Sequence, residues 1–458
     1  MRRAFLAWAA ALLGACTNLD VAAVEVCRTD ADCVDARCVA GRCTSWGDGG
    51  APRDASDYCD GLGPPVVVGD LWVDRPSCGG AVAERTFRYA LCACEDLASS
   101  TSLTTSSFHS GEAWSALGGS VGTNGSMLAS APVTLGGSLF VGGAGGVRAA
   151  MATVAVDGEL RSAGPVLTEG TLLVGRDADV NGDVSASVLR VGGVLTLPSS
   201  ASLSAGAMEL GGEARDAVIV PPPCACADSD LLDVAALVRA RASDHDGARA
   251  GIDPARLDGY DGDTRVELPC GRFYFHAVRG QGALTFVVRG RVAVYVAGDL
   301  LPGGPFTVEL APGAELDLFV EGILSTPYPV RFGDPDAPAR ARLYLGGSGV
   351  TELSDSGTFA GNVYAPRADV RASADLEVRG ALFVRRLAAS GDVTLRYDAA
   401  ILDAGDACPD ETPARCASCL DCRSSEACVD GACGACTSDA DCCAPLVCAG
   451  GRCQPAPF

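Results

Sequence analysis

Acidic side chains gather at two places in this sequence in patterns that could do chemistry. Asp177, Asp179 and Asp183 share the polar phase of one alternating segment, with Arg176 beside them. Cleavage of a polysaccharide needs paired carboxylates, or a carboxylate-bound Ca²⁺ with an Arg or Lys base, on neighbouring segments. The next segment, 189–197, supplies no matching acid, and the three histidines, at 109, 245 and 276, are scattered. No G-x-S-x-G, HExxH or Cys-His pairing stands out. The second group lies in DHDGARAGIDPARLDGYDGD, where Asp244, Asp246, Asp261 and Asp263 sit among turns. Carboxylates clustered in a Gly-rich loop can hold Ca²⁺. The spacing departs from the EF-hand loop, and Asp-Gly pairs are ordinary turn residues. The expectation is no catalytic residue and no cofactor, with Ca²⁺ at those four aspartates as the one candidate ion.

Cysteine is the other reactive residue. There are 23, and Cys16 stands apart from the rest. The chain opens MRRAFLAWAAALLGAC, with Arg2 and Arg3 before an apolar run too short to span a bilayer as a mature helix. Leu13-Gly14-Ala15-Cys16 resembles the bacterial lipobox. That resemblance implies cleavage before Cys16 and acylation of its sulfur and new amine, with several acyl chains giving a lasting anchor. Thr17 follows, with no Asp to signal inner-membrane retention, so outer membrane or cell surface is the expected address.

The remaining 22 cysteines are even in number and, in an exported chain, read as disulfides. They form four groups: Cys27, Cys33, Cys38 and Cys43; Cys59, Cys78, Cys92 and Cys94; Cys224, Cys226 and Cys270; and eleven from Cys408 through Cys416, Cys419, Cys422, Cys428, Cys433, Cys436, Cys442, Cys443 and Cys448 to Cys453. If all pair, the two odd-numbered groups must each send a bridge outside, and Cys408 or a neighbour is expected to tie the tail to the central domain. Cys416-x2-Cys419-x2-Cys422 and Cys433-x2-Cys436 also have zinc-ligand spacing, but thiolates rarely persist in an oxidising compartment.

The first group runs C-x5-C-x4-C-x4-C, and Cys436, Cys442, Cys448 and Cys453 repeat it with Cys443 added. Thr29-Asp30-Ala31-Asp32 matches Ser438-Asp439-Ala440-Asp441 apart from one residue, and Cys422, Cys428 and Cys433 form a partial third copy. These modules resemble small cysteine-rich repeats related to the Dickkopf N-terminal region, found in bacterial surface lipoproteins. The resemblance implies stapled mini-domains and names no ligand.

What must hold all this in place is β structure. Over 283–325 the even positions read Leu284, Phe286, Val288, Val292, Val294, Val296 and, later, Phe306, Val308, Leu316, Leu318, Val320, while the odd ones carry most of the Arg, Thr, Glu and Asp. A long period of two broken only by Gly and Pro predicts stacked strands with one buried face. Gly137, Gly158, Gly175, Gly193 and Gly212 recur at roughly 20-residue spacing, as expected of corners in a coil where tight turns demand positive φ. At 224–265 the pattern breaks, and Leu231, Val234, Ala235 and Val238 predict one short helix, N-capped by Ser229, covering an open end of the coil. Segment 86–97 reads as strands capping the first rung.

Gly361-Asn362-Val363-Tyr364-Ala365-Pro366, with Gly391-Asp392 and Arg396-Tyr397-Asp398, resembles the end of a bacterial right-handed β-helix domain of unknown function found in surface lipoproteins and in pilus-associated and adhesin-like proteins. It implies a fold and an address but no active site. The fold class is thus all-β: a right-handed parallel β-helix with one short capping helix, flanked by small disulfide-rich modules. The expected organisation is a signal peptide at 1–15, an acylated tether at 16–26, a cysteine-rich module at 27–43, a linker at 44–57, the solenoid at 58–400 with its insertion at 224–265, and cysteine-rich modules at 401–458.

A formal net charge of −22, with all 35 basic residues Arg, excludes a phosphate-binding surface and so nucleic acid. The functional expectation is a lipid-anchored, non-catalytic surface protein whose β-helix is a scaffold or adhesive face for glycans or proteins. The alternatives are a β-helix polysaccharide lyase or hydrolase and an extracellular polymer-forming solenoid.

Overall fold

The computed structural model describes residues 36–39, 42–45, 59, 61–70, 76–112, 116, 118–353, 359–408 and 416–457. The segment read as a signal, the lipobox-like stretch with Cys16 and the side chains of the 27–43 module lie outside them. There are two compact units, 1–53 and 54–458. In the first, Ala36–Val39 and Arg42–Ser45 form an antiparallel hairpin.

The second unit is a parallel β-solenoid of about 14 turns. Each coil contributes a short strand to each of three flanks. Leu91–Ala93, Leu97–Ser99 and Leu103–Phe108 make one coil, and the next lies on it with Leu91 beside Val121, Leu97 beside Met127 and Leu103 beside Val133. The even positions expected to point inward do so: Leu284, Phe286, Val294, Phe306, Leu316 and Leu318 are all fully buried. Inward rings meet along the axis, with Phe286 and Phe306 5.5 Å apart and Phe332 and Phe359 4.9 Å apart.

The coils do not stack in chain order. A first block climbs from Leu91 to the terminal strand Leu203–Arg215, which pairs only with the coil beneath it. The chain then returns outside the stack and begins a second block at Thr264–Leu268. That block climbs to Val393–Asp398 and ends against the first, with Leu382 beside Leu91, Ala388 beside Ala98 and Val393 beside Leu103. Segment 86–97 is therefore in the middle of the stack, not at a capped end. Thr86 closes a helix, α1 (Gly79–Thr86), before the strand begins.

The predicted helix exists as α2 (Val234–Arg241), but it caps no end. It packs on the flank strands Arg291–Val296 and Glu315–Val320, and Asp233, not Ser229, caps it by accepting the Ala236 N–H at 2.8 Å. Segment 246–258 covers the open end instead. Asp246 donates its N–H to the Arg272 carbonyl at 2.7 Å, Pro254 accepts from His276 at 3.0 Å, and Leu257 accepts from Arg279 at 3.2 Å. Buried Ile252 and Leu257 close the core there.

The corner glycines are needed for a different reason than a turn. Gly137, Gly158, Gly175, Gly193 and Gly212 have no positive φ. They are places where one coil touches the next: a Cβ on Gly175 would sit 2.2 Å from the Asp157 carbonyl oxygen.

One flank is buried on both sides, which a single buried face does not anticipate. Tyr274, Tyr295, Phe319, Tyr344, Tyr364 and Phe383 occupy one register column on its outer side. Tyr295 and Phe319 stack at 5.1 Å, and Phe319 and Tyr344 at 4.6 Å. An unbroken aromatic column would be an exposed apolar stripe if left in water. It is covered by α1, α2 and the segments before each. The Tyr295 hydroxyl donates to the Val68 carbonyl, the Tyr364 hydroxyl accepts from Leu232 N–H at 2.9 Å, and Phe87 packs on Tyr344.

Nine disulfides form among the described residues. Cys59–Cys270, Cys78–Cys408, Cys92–Cys224 and Cys94–Cys226 tie the covering segments to the solenoid, and Cys78–Cys408 is the long-range tie to the tail. The tail pairs Cys416–Cys428 and Cys422–Cys433, then Cys436–Cys448 and Cys442–Cys453, with Cys419–Cys443 joining the two modules. The copy read as partial is complete once Cys416 is counted, and the cysteines with zinc-ligand spacing are bridged.

Candidate binding cleft

Beyond Phe383 the outer column continues as Cys92, Gly122, Phe140 and Arg161. Here the cover changes. Segment 220–227, Val-Pro-Pro-Pro-Cys-Ala-Cys-Ala, crosses the flank as a strap. Two of its cysteines are bridged to Cys92 and Cys94. The Asn124 side chain donates to the Cys224 carbonyl at 2.8 Å and accepts from its N–H at 2.9 Å. Gly122 makes room, since a Cβ there would stand 3.2 to 3.3 Å from the Tyr89 ring and from both sulfurs of the Cys92–Cys224 bridge. Three prolines in a row lock the strap's backbone and remove its donors, so it spans the flank without pairing to it.

The tail modules form the other boundary. Ser424 donates its hydroxyl to the Glu84 carbonyl at 2.7 Å, Ala116 bridges to Pro457, and the Arg176 guanidinium donates to the Pro457 carbonyl. Between flank, strap and tail lies a cleft of about 670 Å³, within the usual range for small-molecule sites. Phe140, Arg161 and Phe383 line it from the flank, Pro221–Pro223 from the strap, Leu420 and Leu446 from the tail, and Arg88 and Tyr89 from the turn after α1.

The electrostatics at Arg88 and Tyr89 are unusual. Both side chains are buried, at 5% exposure each. Among the described residues the Arg88 Nε and the Tyr89 hydroxyl have no hydrogen-bond partner, whereas more than nine in ten buried polar groups do. Burial pushes the guanidinium down to about 10, opposed by nearby Glu84. Burial likewise pushes the Tyr89 phenol well above its ordinary value. The Tyr89 ring meets Phe140 edge-on at 6.0 Å, and the Arg161 guanidinium lies 5.7 Å above the Phe140 ring. The carboxylates that line the cleft are already engaged. Glu159 holds Arg161 at 2.8 Å, Asp230 accepts from the Ser229 hydroxyl, and Asp439 accepts the Cys448 N–H at 2.8 Å.

Sequence patterning did not point to this cleft. Its residues come from both sides of the junction between blocks, and only the Cys92/Cys94 and Cys224/Cys226 pairs, each C-x-C, signalled that the two segments could meet.

The acidic residues singled out for chemistry are distributed differently. Asp177 and Asp183 accept the Val194 and Ser202 backbone N–H groups of the next coil, each at 2.7 Å, and Asp179 lies 3.8 Å from Arg161. Hydrogen bonds from Ser202 hold the Asp183 carboxyl below its usual range. The same corner bond recurs at Asp96, Asp263, Asp299 and Asp375. Asp244 is hydrogen-bonded to Arg241 and Arg272, Asp246 accepts the Arg272 N–H, Asp261 is exposed on a strand and Asp263 is a corner residue. These four do not converge. Among the described residues, the groups close enough to share an ion are Cys416, Cys422 and Cys428, and Cys436, Cys442 and Cys453, all six in disulfides. The three histidines lie apart in function as well. His109 pairs with Asp403 at 3.0 Å, while His245 and His276 flank Tyr274 at the capped end.

Residues 232–404 match a family described as a domain of unknown function, DUF7305. The matched region contains α2, the capping segment and the whole second block. No curated protein matches the chain. Among solved structures, an ice-binding protein from an Antarctic bacterium, Flavobacteriaceae, aligns at 10% identity and a TM-score of 0.14, covering 69% of this chain and 98% of that one. Similarity of that size carries no argument for shape or function. The disulfides fit an extracellular or cell-surface protein. No helix of the described residues is long and apolar enough to cross a membrane.

Proposed function

We propose that the chain is an exported, lipid-anchored surface protein without catalytic machinery, its solenoid a rigid scaffold that presents the strapped cleft to a ligand. The observation that carries this reading is the cleft itself: a concave, mostly apolar site at the junction of the two blocks, lined by buried polar groups without partners. Two long-range disulfides tie its strap to the flank. Asp177 and Asp183 accept backbone N–H groups of the next coil, and Asp179 lies 3.8 Å from Arg161, which supports the non-catalytic reading.

The address rests on the lipobox-like segment and the disulfides. Replacing Cys16 with Ala should move the protein from the membrane fraction to the soluble exported fraction, and unchanged membrane partition refutes the anchor. Purified protein should bind cell-surface material and release no reducing sugar from common polysaccharides. Sugar release abolished by one carboxylate substitution overturns the non-catalytic reading.

One feature favours a second reading, an extracellular polymer. The terminal strand Leu203–Arg215 leaves Leu203, Ala205 and Leu210 only half-buried and pairs on one side only, and such an edge is a template for another chain. Electron microscopy that shows only single particles at high protein concentration rejects it.

A further inference from the structure

We propose that the cleft takes a ligand with an apolar, ring-containing body and one anionic oxygen group, the oxyanion seated on the Arg88 guanidinium and the Tyr89 hydroxyl. This rests on the cleft being a binding site and goes on to name what it binds.

The charged groups of the cleft are nearly all accounted for. Arg85, Arg161, Glu159, Asp230 and Asp439 all line the cleft and all have partners, although the Arg161 Nε is itself buried without an acceptor. Arg88 has no ion pair among the described residues, and its Nε is buried without an acceptor. Its nearest acid in sequence register, Glu84, has its own oxygens taken up by the Gly405 and Ser424 N–H groups. Burial pushes that carboxyl toward its neutral form, and a buried cation so weakly compensated is costly unless something supplies a further counter-charge. A guanidinium presents donors in a fork that matches a planar oxyanion. Tyr89 lines the same cleft, and its buried hydroxyl, without a partner among the described residues, is a donor that the same group can take up.

The walls are largely apolar. Phe140, Phe383, Pro221, Pro222 and Leu446 give the ligand apolar surface and ring faces. They offer few of the convergent hydrogen-bond groups that an uncharged sugar needs. A purely apolar ligand would leave Arg88 and Tyr89 unsatisfied. An aromatic or alicyclic carboxylate or sulfonate satisfies both.

The test uses the full exported chain with its disulfides intact. Calorimetry compares hydrocinnamate with hydrocinnamyl alcohol, which share a body and differ in charge, and anilinonaphthalene sulfonate serves as a second anionic probe. The expected result is that the acid binds roughly 10- to 100-fold more tightly than the alcohol, the usual size of a charge-assisted hydrogen bond. Arg88→Met should remove that preference, weakening the acid far more than the alcohol. Tyr89→Phe removes only an oxygen that has no partner in the fold, so it should fold even where Arg88→Met does not, and should weaken the acid about tenfold or less. Equal affinity for acid and alcohol, or a folded Arg88→Met that binds the acid as the parent does, overturns the anion assignment and leaves the binding cleft standing. No binding of any of the three probes overturns the cleft as a ligand site and this inference with it.

Discussion

Glu84 offers the sharpest test of how α1 and the tail pack. It is 2% exposed, and burial pushes its carboxyl up to about 7 from an ordinary value of 4.5, against the pull of the Ser424 N–H and of Arg85, Arg423 and Arg88. Between those two values the folded chain holds a proton that the unfolded chain has released. The folded state therefore binds more protons, and stability falls as pH rises from 4.5 through 7. The loss is about 3 kcal/mol, after which it is constant. Glu84→Gln stays neutral throughout. Its amide keeps one acceptor for the Gly405 and Ser424 N–H groups, which costs about 1 kcal/mol at every pH. Urea unfolding followed by circular dichroism should thus find the parent more stable at pH 4 and the Gln variant more stable at pH 8 by about 2 kcal/mol. Curves that run parallel across this window refute the burial of Glu84, and with it the docking of the tail on α1.

Other substitutions probe other parts. Phe319→Ala removes a fully buried ring that stacks on both Tyr295 and Tyr344. It should cost about 3–5 kcal/mol in chemical denaturation, whereas an outward ring on a solvated flank would cost little. Arg342 is 2% exposed and bonded to Asp317 at 2.6 Å and Glu315 at 3.0 Å. Arg342→Ala strands buried Asp317, while Glu315 keeps Arg291 at 3.4 Å, and should cost about 3–5 kcal/mol by the same measurement. Gly175→Ala forces a Cβ against the Asp157 carbonyl oxygen and should cost about 1–3 kcal/mol, while Gly434→Ala, where nothing lies within 4 Å, should be near neutral.

Alternation alone made the solenoid legible, because side-chain direction along a strand has a period of two whatever the order of the coils. It could not reveal that order. The junction of Leu382 with Leu91 links residues nearly 300 positions apart, and nothing in either strand marks it as internal rather than terminal. Tyr295 and Phe319 sat in plain view at odd positions, but their register as one column emerges only when coils of unequal length are stacked. The helix was legible from Val234 and Val238. Its place was not, because the apolar surface it covers belongs to that column. The corner aspartates were visible as outward acids. Their partner, the next coil's N–H, carries no side-chain signature. The cleft was illegible for the same reason as the junction, since Arg88, Phe140 and Leu446 share no local pattern.

The reordered stack, its covered flank and the strapped cleft all depend on which cysteines join. Peptide mapping of the purified protein without reductant addresses that directly. The account predicts Cys92–Cys224, Cys94–Cys226, Cys59–Cys270 and Cys78–Cys408 as cross-linked peptide pairs. Pairing of Cys59, Cys78, Cys92 and Cys94 among themselves would contradict it, because the strap would then be free of the flank and the cleft would have no wall.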